Sequence, residues 1–270
     1  MFENMIWENG SLSINNERFY MGDKMHVNDN NSFLMYKDRN LIDQYQNHFT
    51  KLNYKSNNVF ELGIYEGGST AFWYEVLKPN NMSSIDIQDK INTAHFNSWQ
   101  DRKTREDKSS IKTYWKTSQA DPDELKRIVS TDFNNKIDIV IDDASHLYSN
   151  TLISFETLFP LINPGGIYII EDWAWIHWSE WASQLPRGED LSKLVTQMIQ
   201  CSGTGSGIIE NVTVCSGFAI IQRGSKLLDK KFSLSEYIYV PKMEVSKMRL
   251  KSKLKKVIKT LLAKIQNKKI

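Results

Sequence analysis

Cysteine is almost missing from this chain. Of 270 residues only two are cysteine, Cys201 and Cys215, and no CxxC pair exists. Neither a disulfide framework nor a cysteine-rich zinc site is expected from so few thiols. Long apolar runs are missing as well. No stretch approaches the roughly 18 consecutive apolar residues of a membrane-spanning helix. The opening residues, MFENMIWENGSLS, show no basic-then-apolar signal pattern. No internal repeat is present. On these grounds the chain reads as a soluble cytoplasmic protein. What it has in quantity is core material: 40% of residues are hydrophobic, 11% are aromatic and eight are tryptophan. That composition speaks for a sizeable packed interior and against disorder. The length suits one large domain with additions, or two small ones.

Charge of one sign is scarce overall, since the formal net charge is only +2. That balance hides an asymmetry. Residues 242–270 hold eleven Lys/Arg against one acid, Glu244, which gives +10 and leaves 23 basic and 31 acidic residues, or −8, for the rest. A nucleic-acid role for the body is not expected, and any such partner would meet the tail. In the tail, Leu250, Leu254, Val257, Ile258, Leu261, Leu262 and Ile265 recur at helical spacing with lysines opposite. This predicts a basic amphipathic helix. Docking on its own domain or on a second subunit, contact with a membrane surface and RNA binding all stay open for it.

Residues 1–32 are rich in asparagine and read as irregular. Apolar spacing over 32–52 predicts one or two helices. Short apolar strands follow at 59–62, 84–87, 111–115, 137–141 and 167–170. Between them, helices are expected from Ser69 to Leu77, from a start at Asp121-Pro122-Asp123-Glu124, and over 153–161. Asp121 can cap, Pro122 suits the first helical position, and Glu124 sits three residues after the cap. Residues 88–110 are polar and read as an exposed insertion. The segments 208–214 and 217–222 form a candidate antiparallel pair. Strands alternating with helices predict an α/β fold on a mostly parallel sheet. The expected division is an N-terminal arm with helices over 1–54, a catalytic domain over 55–225 and a C-terminal extension over 226–270.

Ligands of open α/β sheets bind beyond the carboxyl ends of the strands. Two groups of residues fall there. The first is the turn Gly63-Ile64-Tyr65-Glu66-Gly67-Gly68-Ser69, with Asp86 at the end of the next strand. Gly63 allows a tight turn, and Gly67 and Gly68 let a ligand approach the backbone. The spacing is not the pyrophosphate fingerprint GxGxxG. Asp86 can accept hydrogen bonds from both ribose hydroxyls, or it can serve as a cap. The second group is Asp142-Asp143-Ala144-Ser145-His146 together with Glu171-Asp172, each directly after an apolar strand. If those strands are neighbours, three or four carboxylates converge, and such a cluster needs a cation or protons. Hard oxygen donors without thiolate favour Mg²⁺, Mn²⁺ or Ca²⁺ over zinc. One acid at a helix N-terminus with solvated neighbours is the plainer alternative.

Val59-Phe60-Glu61-Leu62-Gly63-Ile64-Tyr65-Glu66-Gly67-Gly68-Ser69-Thr70 resembles the first motif of class I S-adenosylmethionine-dependent methyltransferases. The Gly-Gly-Ser ending is similar to a metal-dependent subgroup that includes macrolide-sugar O-methyltransferases and cephalosporin-hydroxylase-like proteins. The resemblance runs over about 55–222. It implies a Rossmann-like fold with a seven-stranded sheet and a cofactor site of Glu61, Gly63, Ser69, Asp86, Gln119 and Asp142. Glu61 and Gly63 would meet the methionine part, Asp86 the ribose, and the segment around Gln119 the adenine. Asp142 also reads as a loop cap or an orienting group. The resemblance further implies metal ligation by Asp143, Glu171 and Asp172, with His146 as general base.

The activity so implied is O-methylation of a sugar-bearing metabolite or glycan, with S-adenosylmethionine and Mg²⁺ or Mn²⁺. A bound cation stabilises a developing alkoxide, and a histidine near neutral pH takes the proton. A hydroxylase-like enzyme and a non-catalytic binding scaffold are the alternatives; the first is disfavoured by the lack of a two-histidine-one-carboxylate triad. Trp173, Trp175, Trp178 and Trp181 follow the acids and suit either a bulky substrate or a second subunit.

Overall fold

The computed structural model describes residues 2–22, 31–51, 54, 56–90, 94–107, 110–183, 186–229 and 231–238. The basic helix expected over 242–270 lies outside the described residues. The central strands are β5 (Asn58–Leu62), β6 (Asn81–Asp86), β7 (Ser110–Trp115), β8 (Ile137–Asp142) and β9 (Ile162–Glu171). They are followed by β10 (Ile209–Val214) and β11 (Phe218–Arg223). Every residue of β8 is buried, as expected where helices cover both faces of a parallel sheet. The seven strands are ordered β10-β11-β9-β8-β5-β6-β7. The pairs β5–β6, β6–β7, β5–β8 and β8–β9 are parallel. The antiparallel pair expected near the end is present as β10 on β11, with β11 on β9. Strand order therefore reverses at β5, and the crevice beyond its carboxyl end is where such folds bind ligands.

The covering helices are α1 (Arg39–Lys51), α2 (Gly68–Leu77), α3 (Ala94–Glu106), α4 (Pro122–Phe133), α5 (Tyr148–Leu158), the short α6 (Ser179–Ala182) and α7 (Leu191–Ser202). Asp121 caps α4 as its sequence predicts, accepting from the Asp123 and Glu124 amides. Several expectations fail. Residues 33–35, read as helical with 32–52, form a strand, and β9 begins at Ile162 where only 167–170 was read. Residues 94–106 are a helix rather than an exposed insertion, because Phe96, Trp99 and Lys103 recur on one face and are buried. Residues 5–21 are ordered rather than irregular: β1 (Met5–Glu8), β2 (Ser11–Ile14) and β3 (Glu17–Met21) form a meander, and β4 (Phe33–Met35) adds to it in parallel. Two-residue turns join the meander, with Glu8 opposite Ser11 and Ile14 opposite Glu17. Their central residues, Asn9-Gly10 and Asn15-Asn16, all have positive φ between 47° and 77°. That is the mirror-image turn whose twist matches paired strands, and asparagine and glycine adopt it most readily.

The small sheet is not separate from the large one. Leu12, Ile14 and Phe19 share a buried cluster with Ile139, Ile141, Ile167 and Phe218 of the main sheet. A buried carboxylate fixes the contact. Glu75 on α2 accepts from Lys103 Nζ at 2.8 Å on α3, from Asn15 Nδ2 at 3.1 Å in the β2–β3 turn and from Trp99 Nε1 at 3.2 Å. Breaking one side of such a group costs more than the group contributes, because the remaining charge stays buried.

The first helical turn of α2 lies directly under β4. A Cβ on Gly68 would stand 1.9 Å from the carbonyl oxygen of Leu34, a backbone atom that has no rotamer to escape into. Gly68→Ala is therefore expected to cost about 1–3 kcal/mol of stability, read as a lowered midpoint in denaturant unfolding. A variant as stable as the parent would show that α2 does not carry β4.

Candidate active site

The two loops that carry the chemistry lie against each other. Asp143 N–H donates to Leu62 O at 2.9 Å, and Gly63 N–H to Ile85 O at 2.9 Å. Gly63 has φ +101°, and a Cβ there would stand 2.2 Å from the Asp143 carbonyl oxygen. Only glycine allows both the backbone angle and the approach. Asp86 fixes the same turn from the other side: its Oδ2 accepts from the Ile64 and Tyr65 amides at 2.9 and 2.8 Å. Asp86 thus holds the loop as well as facing the cavity.

One large cavity, about 1210 Å³, opens over these loops. Gly63, Ser69, Asp86, Gln119, Asp143, His146 and Asp172 all line it. Glu61 and Asp142, also read as cofactor-binding, are not among its lining residues. Glu61 is fully buried and accepts from the hydroxyls of Ser69, Thr70 and Ser84, so it anchors the N-terminus of α2 behind the cavity wall. Asp142 is buried under Tyr168 Oη at 2.6 Å, Ser154 Oγ at 2.9 Å and Gln119 Nε2 at 3.1 Å. Gln119 uses its other end to accept from the Ser145 amide at 2.9 Å. Asp142 therefore orients Gln119, and Gln119 holds the loop that carries His146.

On the second loop and after β9, Asp143, His146 and Asp172 each bring one donor atom to within 4.8 Å of the others, a group that could hold a metal ion. His146 Nε2 lies 3.9 Å from Asp143 Oδ1, and its ring packs on Trp175 with centroids 4.1 Å apart. Both His146 and Asp172 have positive φ, 54° and 53°. Non-glycine residues in that region are uncommon and collect where function fixes the backbone. Glu171 lies outside this group. It is buried and paired with a residue the sequence reading missed, Lys37, on the segment between β4 and α1. Lys37 Nζ donates to Asp143 Oδ2 at 2.8 Å and to Glu171 Oε2. Burial alone would lower the Lys37 pKa, but the Asp143 and Glu171 carboxylates raise it above its ordinary value. Burial and the charge of Asp143 push Glu171 and Asp172 up. No sequence signal marks Lys37, because a lysine inside Tyr-Lys-Asp-Arg reads as a solvated residue.

The tryptophans divide. Trp175 and Trp178 line the cavity, whereas Trp173 donates its Nε1 to Cys215 O at 2.8 Å and packs in the core. The side chain of Trp181 lies outside the described residues. The N-terminal segment also lines the cavity, through residues that include Trp7, Tyr36 and Arg39. Arg39 stands 5.2 Å above the Trp7 ring.

Burial raises the Glu61 pKa to about 7, against the lowering effect of its three hydroxyl donors. The folded state then holds a proton that the unfolded state, titrating near 4.5, has already lost. Stability of the ligand-free chain should fall as pH rises from about 4.5 to about 7, by about 3 kcal/mol at most from this group. Glu61→Gln should flatten that part of the profile in thermal melts across pH. An unchanged slope would mean that Glu61 is ionised throughout.

Residues 60–173 match the family model described as a methyltransferase domain. A relative from Streptomyces olivaceus, 8-demethyl-8-alpha-L-rhamnosyl tetracenomycin-C 2'-O-methyltransferase, is 31% identical over 141 residues, 50% of this chain and 33% of the relative. Mycinamicin VI 2''-O-methyltransferase from Micromonospora griseorubida is 29% identical over 175 residues, 62% of this chain and 37% of the relative. Among solved structures, the MycE methyltransferase of the mycinamycin pathway, in complex with Mg, SAH and mycinamycin VI, superposes with a TM-score of 0.52 at 26% identity. That match covers 67% of this chain and 49% of the other. The chain thus spans little more than a third of the length of the two curated relatives. Residues 60–173 thus match a methyltransferase domain, in a chain that resembles the macrolide-sugar O-methyltransferases in sequence and in fold.

Proposed function

We propose that this chain transfers the methyl group of S-adenosylmethionine to a hydroxyl of a sugar-bearing small molecule, at a site that takes Mg²⁺ or Mn²⁺. The observation that carries the proposal is the shared cavity. The glycine turn with Asp86 and the Asp143–His146–Asp172 group open into one space rather than two. In this reading Gly63, Ser69, Asp86 and Gln119 face the cofactor, with Glu61 and Asp142 supporting them from behind. Asp143, Glu171 and Asp172 form the carboxylate set for the metal. The donors fit such an ion: they are hard oxygens, no cysteine is among them, and their mutual charge calls for a cation.

When bound, the metal would stabilise the developing alkoxide and the sulfonium would supply the methyl group. The chain's own residues do the rest. His146, held by Gln119 through Ser145 and by the Trp175 ring, takes the hydroxyl proton on Nε2. Trp175 and Trp178 offer apolar faces to a sugar ring. Closure of the acceptor against the methyl donor supplies rate through proximity. The solved relative holds Mg, SAH and mycinamycin VI, and the Streptomyces olivaceus relative is named for a rhamnosyl compound, which supports the acceptor class.

The experiment is a transfer assay with labelled S-adenosylmethionine and a panel of glycosylated acceptors. Turnover should stop on exhaustive chelation and return with Mg²⁺ or Mn²⁺; full turnover in chelator would remove the metal from the chemistry. His146→Ala should lower turnover about 10²–10⁴-fold while binding of S-adenosylhomocysteine survives. Near-normal turnover with a lowered melting temperature would instead make His146 a packing residue beneath the Asp143 loop.

A further inference from the structure

The acid cluster already contains a cation. Lys37 is 6% exposed, and its ammonium bridges Asp143 Oδ2 at 2.8 Å and Glu171 Oε2. Asp143, Glu171 and Asp172 bring three negative charges, and Lys37 brings one positive charge. Lys37 balances only part of that charge. Glu171 is the odd member: one oxygen is taken by Lys37, and its carboxylate is buried beside the Tyr45 hydroxyl. A buried carboxylate held by one ammonium is the kind of group an arriving divalent cation competes for.

Lys37 also has somewhere to go. It lines the large cavity, on a segment whose neighbours Tyr36, Asp38 and Arg39 line it too. A lysine on four rotatable bonds can leave two carboxylates and place its ammonium in the solvated cavity without moving the sheet.

We propose that Lys37 is an internal counter-cation that a divalent ion displaces. Before the ion arrives, the ammonium holds Asp143 and Glu171 together against their repulsion. When it binds, both carboxylates pass from Lys37 to the metal, and the lysine side chain turns into the cavity. Metal loading is thereby coupled to the wall formed by residues 36–39, which faces the acceptor. This rests on the acid cluster being the metal site. It adds that the metal's competitor is carried by the chain itself, on the N-terminal segment outside the methyltransferase domain match.

The test uses the full chain, without cofactor, and Mn²⁺ as the probe. Calorimetry should give Mn²⁺ affinity about 10–100-fold tighter in Lys37→Met than in the parent, since a like charge has been removed from beside the ligands. Lys37→Arg, which keeps the charge, should stay within a few-fold of the parent. A second measurement needs no variant. Acylation of Lys37 in the parent, followed by mass spectrometry, should be slow in chelator and rise several-fold at saturating Mn²⁺. Labelling that does not change on Mn²⁺ saturation overturns the exchange and leaves the metal site standing. Lys37→Met binding Mn²⁺ no tighter than the parent does the same. If neither chain binds Mn²⁺, the metal site fails and the exchange fails with it. If Lys37→Met does not fold, the labelling result decides alone.

Discussion

One close approach organises this molecule: the carbonyl of Asp143 occupies the space where a side chain on residue 63 would begin. Because residue 63 is glycine, β5 and β8 can end side by side with their loops touching. The turn that would cradle a nucleotide and the loop that carries an acid and a histidine then face one crevice. Asp86 clamps the first loop through the Ile64 and Tyr65 amides. Gln119 clamps the second through Ser145. Neither clamp would have anything to hold if a methyl group at position 63 pushed the strand ends apart.

The chain solves an electrostatic problem by layering. Carboxylates at the ends of neighbouring strands repel, and burial makes each less willing to ionise. Asp142 is neutralised by hydroxyl and amide donors beneath the loop. Glu171 is neutralised by Lys37. Asp143 and Asp172 are left partly open to the cavity with His146 beside them. Four acids in two short segments thus take three different environments, and the ones in contact with solvent are those best placed for chemistry.

Much of this was legible in the sequence, for identifiable reasons. Buried parallel strands announce themselves as short apolar runs, so β5 and β8 were read close to their true limits; of β9 only the second half was read, because Asn163-Pro164-Gly165-Gly166 looks like a turn. Asp121-Pro122-Asp123-Glu124 started α4 because capping is a local interaction. The acids at strand ends could be brought together because parallel order follows from alternating elements. The N-terminal sheet was missed although Asn9-Gly10 and Asn15-Asn16 carry a clear hairpin signal; strands of four or five residues are too short for periodicity to show. Helix α3 was hidden by its charges, with only Phe96 and Trp99 marking its inner face. Lys37 was not legible at all. Its role depends on partners 106 and 134 residues away, and no local pattern encodes a contact of that span.

That span has a consequence for how the protein is made. A bridge from Lys37 to Glu171 cannot close until β9 has been synthesised and has joined the sheet, and the entropic cost of closing so long a loop falls late in folding. Lys37 must therefore wait for residues far later in the chain. A growing chain released only as far as about residue 100 carries Lys37 but neither Asp143 nor Glu171. Any ion, cofactor or acceptor that binds the finished crevice acts on the completed fold alone. It draws the folding equilibrium forward by mass action, so the supply of ligand in the cell bears on how much of this protein survives as well as on how fast it works.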